Sequence, residues 1–343
     1  MTTEYSSART GAAESARELP PQIGQHRPFA DTVDAGLQMA LESALEKKRS
    51  WRALIDHNKM AVGLVDLSTP QAARFASVNG YTMMYAASLS KIAVLLGAYQ
   101  SIQDGTLKDS PALHAWLIRM IRLSNNAAAS YLIDLIGLKR IEDDLLRYQF
   151  YVPQYGGGIW LGGSYPPVGL RNPEPIKGLC HAATAMQLCR FYYMLATGQI
   201  ISPERSRQML EILSHPGLHD KFVSVLETHV PPQRLFRKSG DWSLYYSDSV
   251  LVWDHDCRKY ILAALIENKD GEQILRDLVP VVEKLLAPAQ MEARSRELRQ
   301  IASLKAQANV KQPGSSPFSS ARSAILNGFH KLMRCFPQGT QCR

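Results

Sequence analysis

A chain of 343 residues, 45% hydrophobic and 20% charged, is long enough to bury a sizeable core, and its composition excludes a fibrous or wholly disordered protein. Its longest uninterrupted apolar run, Ile92 to Tyr99, falls far short of the ~20 residues that a membrane-spanning helix needs. The net charge of +8 gathers after Pro288, where nine Lys or Arg face only Glu292 and Glu297; the main body is near neutral, and no nucleic-acid groove is expected there.

Residues 1–33 are rich in Ser, Ala, Arg, Pro and Gln without periodicity, which predicts a disordered tail. The start, Met-Thr-Thr-Glu, lacks the basic, apolar and small-residue regions of a secretory signal, and this points to the cytoplasm. Apolar residues at helical spacing (Leu37, Leu41, Ala44, Leu45) predict an amphipathic helix within 33–57. Two β-type runs follow, Met60 to Leu67 and Ala73 to Gly80, joined by the turn residues Ser68 to Gln71. The run from Tyr85 to Tyr99 suits a buried helix, ended by Asp104-Gly105. Helical runs recur at Ala115 to Leu123 and Ala127 to Ile136, separated by Ser124-Asn125-Asn126. From Gln149 to Gly178 the texture turns to Gly, Pro and Tyr, a long loop whose aromatic content suggests a lid. Helices are expected at His181 to Ala196 and Pro203 to Leu213, strands at Arg234 to Gly240, Ser243 to Trp253 and Tyr260 to Ile266, and a closing helix at Glu272 to Leu286. This order predicts an α+β fold: an antiparallel β-sheet flanked by helices, plus an all-helical lobe, over 34–288. The basic segment 289–343 reads as a partly helical tail. A solvated tail is favoured, with contact to a membrane surface or partner as the alternative. The five cysteines are odd in number and lack CxxC spacing, so free thiols are expected, with neither a metal site nor a cofactor.

Chemistry concentrates at Ser88-Leu89-Ser90-Lys91. At i and i+3 on a helix the serine hydroxyl and the lysine amine share a face, and a lysine desolvated by apolar neighbours can take the serine's proton. Alone the motif is common. Followed in order by Ser124-Asn125-Asn126 between helices and Lys238-Ser239-Gly240 at a strand end, it is not.

That ordered set resembles the motifs of the penicillin-recognising serine hydrolases, and most closely those of class A β-lactamases, with similarity over roughly residues 33–286. The resemblance implies that Ser88 is acylated, with Lys91 as its base or proton relay, and that Ser124 passes the proton to the leaving nitrogen. It also implies that Asn126 binds a substrate amide, that Lys238 and Ser239 beside Gly240 hold a substrate carboxylate, and that the backbone N–H groups of Ser88 and Asp241 form the oxyanion hole. The sequence departs from the family in three places, one of them a short stretch between Lys91 and Ser124 where the family has one wall of its cleft. The loop lacks the Glu-x-x-Leu-Asn setting of the water-activating glutamate, leaving Glu174 as the candidate deacylation residue, and no arginine occurs between Trp242 and Val252. Acylation is therefore expected more strongly than deacylation. The leading reading is a serine hydrolase acting on a small lactam, amide or ester and weak on β-lactams. The alternatives are a D-alanyl-D-alanine peptidase or acyltransferase, and a fold kept for binding in which Trp160 and the Tyr-rich loop cap a ligand.

Overall fold

A computed structural model of the chain describes residues 27–69, 72–165, 171–254 and 258–310. Two compact units divide it, Met1–Ala287 and Pro288–Arg343. The first opens with helices α1 (Ala35–Glu46) and α2 (Arg49–Asp56), then strands β1 (Met60–Asp66), β2 (Arg74–Val78) and β3 (Met84–Tyr85). A 3-10 turn, Ala87–Ser90, leads into α3 (Lys91–Gln103), followed by α4 (Pro111–Arg122), α5 (Asn126–Ile136) and α6 (Leu138–Arg147). The Gly-rich region supplies the short strands β4 (Tyr151–Val152), β5 (Gly157–Gly158) and β6 (Trp160–Leu161), and β7 (His181–Ala183) comes next. Helices α7 (Ala185–Ala196), α8 (Pro203–Leu213) and α9 (Lys221–Leu226) precede β8 (Leu235–Trp242), β9 (Tyr245–Trp253) and β10 (Lys259–Glu267), and α10 (Gly271–Val310) closes the described chain.

Five strands form one antiparallel sheet in the order β2-β1-β10-β9-β8, so the first strand of the chain pairs with the last, Met60 opposite Ile266. Strand alternation sends successive side chains to opposite faces. Met60, Val62 and Leu64 join Leu262, Ala264 and the helix residues Leu37, Leu41 and Leu278 in one core. Ala61 and Val65 face the other, with Phe236, Leu251 and Ile261 packed against α3, α4, α5 and α7. Each Val, Leu, Ile, Phe or Met side chain among these, fully buried, contributes about 1.5–3 kcal/mol. Helix α7 lies so close to β1 that a Cβ at Gly63 would stand 2.7 Å from Cys189 Sγ and 3.0 Å from Ala185 O.

The architecture is the α+β arrangement of sheet, flanking helices and helical lobe read from the sequence, with local differences. Residues 27–33 belong to the folded body rather than to a tail: Phe29–Thr32 form a 3-10 turn, and the Phe29 ring packs on Phe75 and Tyr193 at 4.8 and 5.5 Å. His181–Ala183 form a strand, not the first turn of a helix, because the Thr184 side chain caps α7 by accepting from Gln187 N. The rest of the expected N-terminal tail, and the basic tail beyond 310, lie outside the described residues. Among the described residues no helix is long and apolar enough to cross a membrane.

Candidate active site

Three pieces of chain meet at Ser88. Its 3-10 turn is pinned from two sides: Ala86 N–H donates to His181 O of β7 at 2.7 Å, and Ser247 Oγ of β9 donates to Ala86 O at 2.8 Å. Strand β8, at the edge of the sheet, lies against the turn at Gly240, where an added Cβ would sit 2.4 Å from Ala86 O and 2.7 Å from Ser88 N. Glycine is required there by close approach.

Lys91, the first residue of α3, is fully buried, and its Nζ lies 3.0 Å from Ser88 Oγ, 2.7 Å from Ser124 O and 2.7 Å from Asn126 Oδ1. The last two oxygens can only accept. A neutral amine that spends both hydrogens on them turns its lone pair toward the Ser88 hydroxyl, which is the arrangement a proton acceptor needs. Burial lowers the Lys91 pKa to about 7, with Asp241 opposing the shift.

The second motif reaches two lysines through one residue. Ser124 ends the connection between α4 and α5 in the left-handed region, φ 53°, a costly conformation for a residue with a Cβ. It thereby presents its carbonyl to Lys91 and its hydroxyl to Lys238 Nζ at 2.9 Å. Asn125 caps α5 by accepting from Ala128 N at 2.8 Å, which starts the helix so that Asn126 faces Lys91. Lys238 is buried and its Nζ also donates to Ser239 O at 2.5 Å. Burial drives its pKa well below the ammonium range, and Lys91 and Arg237 push the same way. Ser88, Lys91, Ser124, Asn126, Lys238, Ser239 and Gly240 thus form one constellation, and Asp241 continues it at the exposed end of β8.

Glu174 is not part of it. Its buried carboxylate is committed to its own turn: Oε2 accepts from Tyr151 OH (3.0 Å) and Ile176 N (2.7 Å), and Oε1 accepts from Lys177 N (2.5 Å) and Leu179 N (3.3 Å). With four donors on two oxygens, no acceptor site remains for an activated water. Glu174→Gln is expected to lower stability by about 2–3 kcal/mol, since a charged hydrogen-bond centre is lost from a buried turn. Thermal unfolding reads this directly; an unchanged Tm with blocked release of an acyl group would restore the water-activating role.

The loop instead offers Tyr165 to the lysine. Lys91 Nζ stands 4.5 Å from the centre of that ring. The Tyr165 hydroxyl bonds Ser90 Oγ at 2.8 Å and donates to Ala87 O at 3.2 Å, while its backbone N–H donates to Ser130 Oγ at 3.0 Å. Behind it stacks His181, ring centres 4.3 Å apart; burial lowers the imidazole pKa to about 4, with Lys91 adding to the effect. Sequence reasoning missed both residues, and only the aromatic texture of the loop hinted at one. Trp160, read as a ligand cap, is instead core: it is buried, packs on Tyr151 with ring centres 4.6 Å apart, and donates Nε1–H to Asn172 O.

Comparison with known proteins bears on the family and the fold. The model of the beta-lactamase enzyme family matches residues 111–282, from the start of α4 into α10, and Ser88 and Lys91 lie N-terminal to the match. No curated protein matches the chain. Among solved structures, a beta-lactamase from Sphaerobacter thermophilus is 17% identical with a TM-score of 0.54, covering 71% of this chain and 96% of its own. A class A beta-lactamase from Bacteroides cellulosilyticus is 14% identical with a TM-score of 0.56, covering 74% and 99%. The structure of PBP-A is 17% identical with a TM-score of 0.53, covering 78% and 98%. At these identities the likeness speaks for the fold.

Proposed function

The chain belongs to the beta-lactamase enzyme family, and from that premise we propose that it is a serine hydrolase that forms an acyl-enzyme on Ser88 with a small lactam, amide or ester. The observation that carries the reading is the environment of Lys91 Nζ, with two acceptor-only oxygens at 2.7 Å and the Ser88 hydroxyl at 3.0 Å. In the acylation step the Ser88 proton passes to Lys91 as the Oγ–C bond forms. The substrate carbonyl oxygen takes up negative charge, met by the backbone N–H groups of Ser88 and Asp241; one such donor is typically worth about 10²–10³ in rate. Collapse breaks the C–N or C–O bond; the leaving atom takes the Ser124 hydroxyl proton, and the proton held on Lys91 passes to Ser124 and leaves Lys91 neutral again, while Lys238 Nζ keeps the Ser124 Oγ in place. Asn126, with Oδ1 on Lys91, keeps its amide N–H for a substrate carbonyl.

Release of the acyl group is the slow half of this reaction. The loop residue beside Lys91 is the Tyr165 ring, which cannot take a proton from water as a carboxylate does. The same observation favours a second reading, transfer of the acyl group to an amine by a D-alanyl-D-alanine peptidase or acyltransferase, since an amine acceptor is a better nucleophile than water and needs less activation.

Intact-protein mass spectrometry after incubation with benzylpenicillin tests the reading. One penicillin is expected to add to the wild type and persist, and none to Ser88→Ala. A wild type that neither gains mass nor opens the lactam, and that a fluorophosphonate leaves unlabelled at Ser88, would sink it.

A further inference from the structure

Beyond Gly240, strand β8 enters a charged network. Lys221, buried at the start of α9, places Nζ 2.7 Å from Asp220 Oδ2 and 2.8 Å from Asp241 Oδ1. The other oxygen of Asp220 accepts from Arg237 at 2.6 Å. Arg237 donates to both carboxylate oxygens of Asp248 at 2.7 and 2.8 Å. Asp248 also accepts from Phe222 N and Ser249 N, so both of its oxygens act as acceptors and it is ionised. Three carboxylates thus face two cations. The members are buried or half-buried except Asp241, whose side chain is 59% exposed.

A carboxylate on a substrate needs an open cation. Lys91 is held by Ser88, Ser124 and Asn126. Lys238 is buried against Ser124 Oγ and Ser239 O. Arg237 is spent on Asp248, Asp220 and Leu218 O. Lys221 is taken by Asp220 and Asp241. At the exposed end of β8, one residue beyond the glycine that touches the nucleophile's turn, the solvent-facing charge is a carboxylate.

We propose that Asp241 sets the charge of the substrate: by occupying Lys221 and placing a carboxylate one residue beyond the glycine that touches the Ser88 turn, it disfavours acyl substrates with a carboxylate next to the scissile bond and selects neutral or cationic ones. This rests on the reading of Ser88 as the acylated nucleophile. Two like charges sharing a partly exposed site repel by enough to discriminate ~10-fold, and salt screens the effect.

Benzylpenicillin and its methyl ester differ only in that charge, and the test is their relative rate of acylation followed by mass. The wild type is expected to favour the ester by about 10-fold or more over the acid, a preference that shrinks as ionic strength rises. Asp241→Asn is expected to erase or reverse it, because Lys221 then faces the substrate, while Asp241→Glu keeps it; both variants retain the backbone N–H. Acylation by both compounds with the same ratio in Asp241→Asn as in wild type would overturn this inference and leave the serine hydrolase standing. Acylation of the wild type by neither would overturn this inference, and with Ser88 also unlabelled by a fluorophosphonate it would overturn the hydrolase reading as well.

Discussion

Lys91→Met will slow acylation of Ser88 by roughly 10²–10⁴-fold, the usual contribution of a positioned general base. Methionine fills the buried volume but offers no lone pair to the hydroxyl 3.0 Å away. The wild-type rate, followed with a fluorophosphonate or a penicillin ester, will rise with pH and level off around an inflection near 7. Burial holds the Lys91 pKa at about 7, and below it the amine carries the proton that blocks it from accepting another. Each pH unit below the inflection therefore costs about tenfold in rate. The inflection disappears in Lys91→Met. A pH profile unchanged by the substitution would assign the proton to another group.

Gly240→Ala will have a comparably large effect by a different route. The new methyl would stand 2.4 Å from Ala86 O, 2.6 Å from Leu89 N and 2.7 Å from Ser88 N, all backbone atoms that no rotamer change can move. Ala86 cannot retreat without losing its bonds to His181 O and Ser247 Oγ. Overpacking of this kind costs about 1–3 kcal/mol. A displacement of ~1 Å at a reacting group costs about 10² in rate. A lowered Tm together with a strongly reduced rate of labelling is expected. A variant that melts and reacts like wild type would mean that β8 does not bear on the turn.

What could be read in advance was local or periodic. The three motifs lie in continuous stretches, and their order identified the constellation before any coordinate. The strands β1, β9 and β10 announce themselves by apolar runs bounded by turn residues. Helix α6 went unread although Ile141 and Leu145 carry an i, i+4 apolar spacing, because charged residues surround them. Thr184 with Gln187 is a capping pair that marks where α7 begins and would have released His181–Ala183 to be a strand. The charge network was out of reach. Lys221 and Asp241 are twenty positions apart on different elements, and nothing along the chain says which of several aspartates a lysine meets. Tyr165 was hidden among several loop tyrosines for the same reason. Glu174, a lone carboxylate in its loop, looks available in the sequence because the four donors that occupy its oxygens become countable only in the fold.

The pinning of the Ser88 turn also bears on when that turn takes shape as the chain is made. Ser247 is 161 residues beyond Ala86, and β1 finds its central partner only in β10, more than 190 residues later. Contacts this distant in sequence form late, after the entropy of closing long loops has been offset. Ribosome-bound or truncated chains that stop short of β9 therefore contain the complete Ser88-Leu89-Ser90-Lys91 motif without the bond that shapes its turn. Such chains are expected to go unlabelled at Ser88 by a fluorophosphonate that labels the full-length protein.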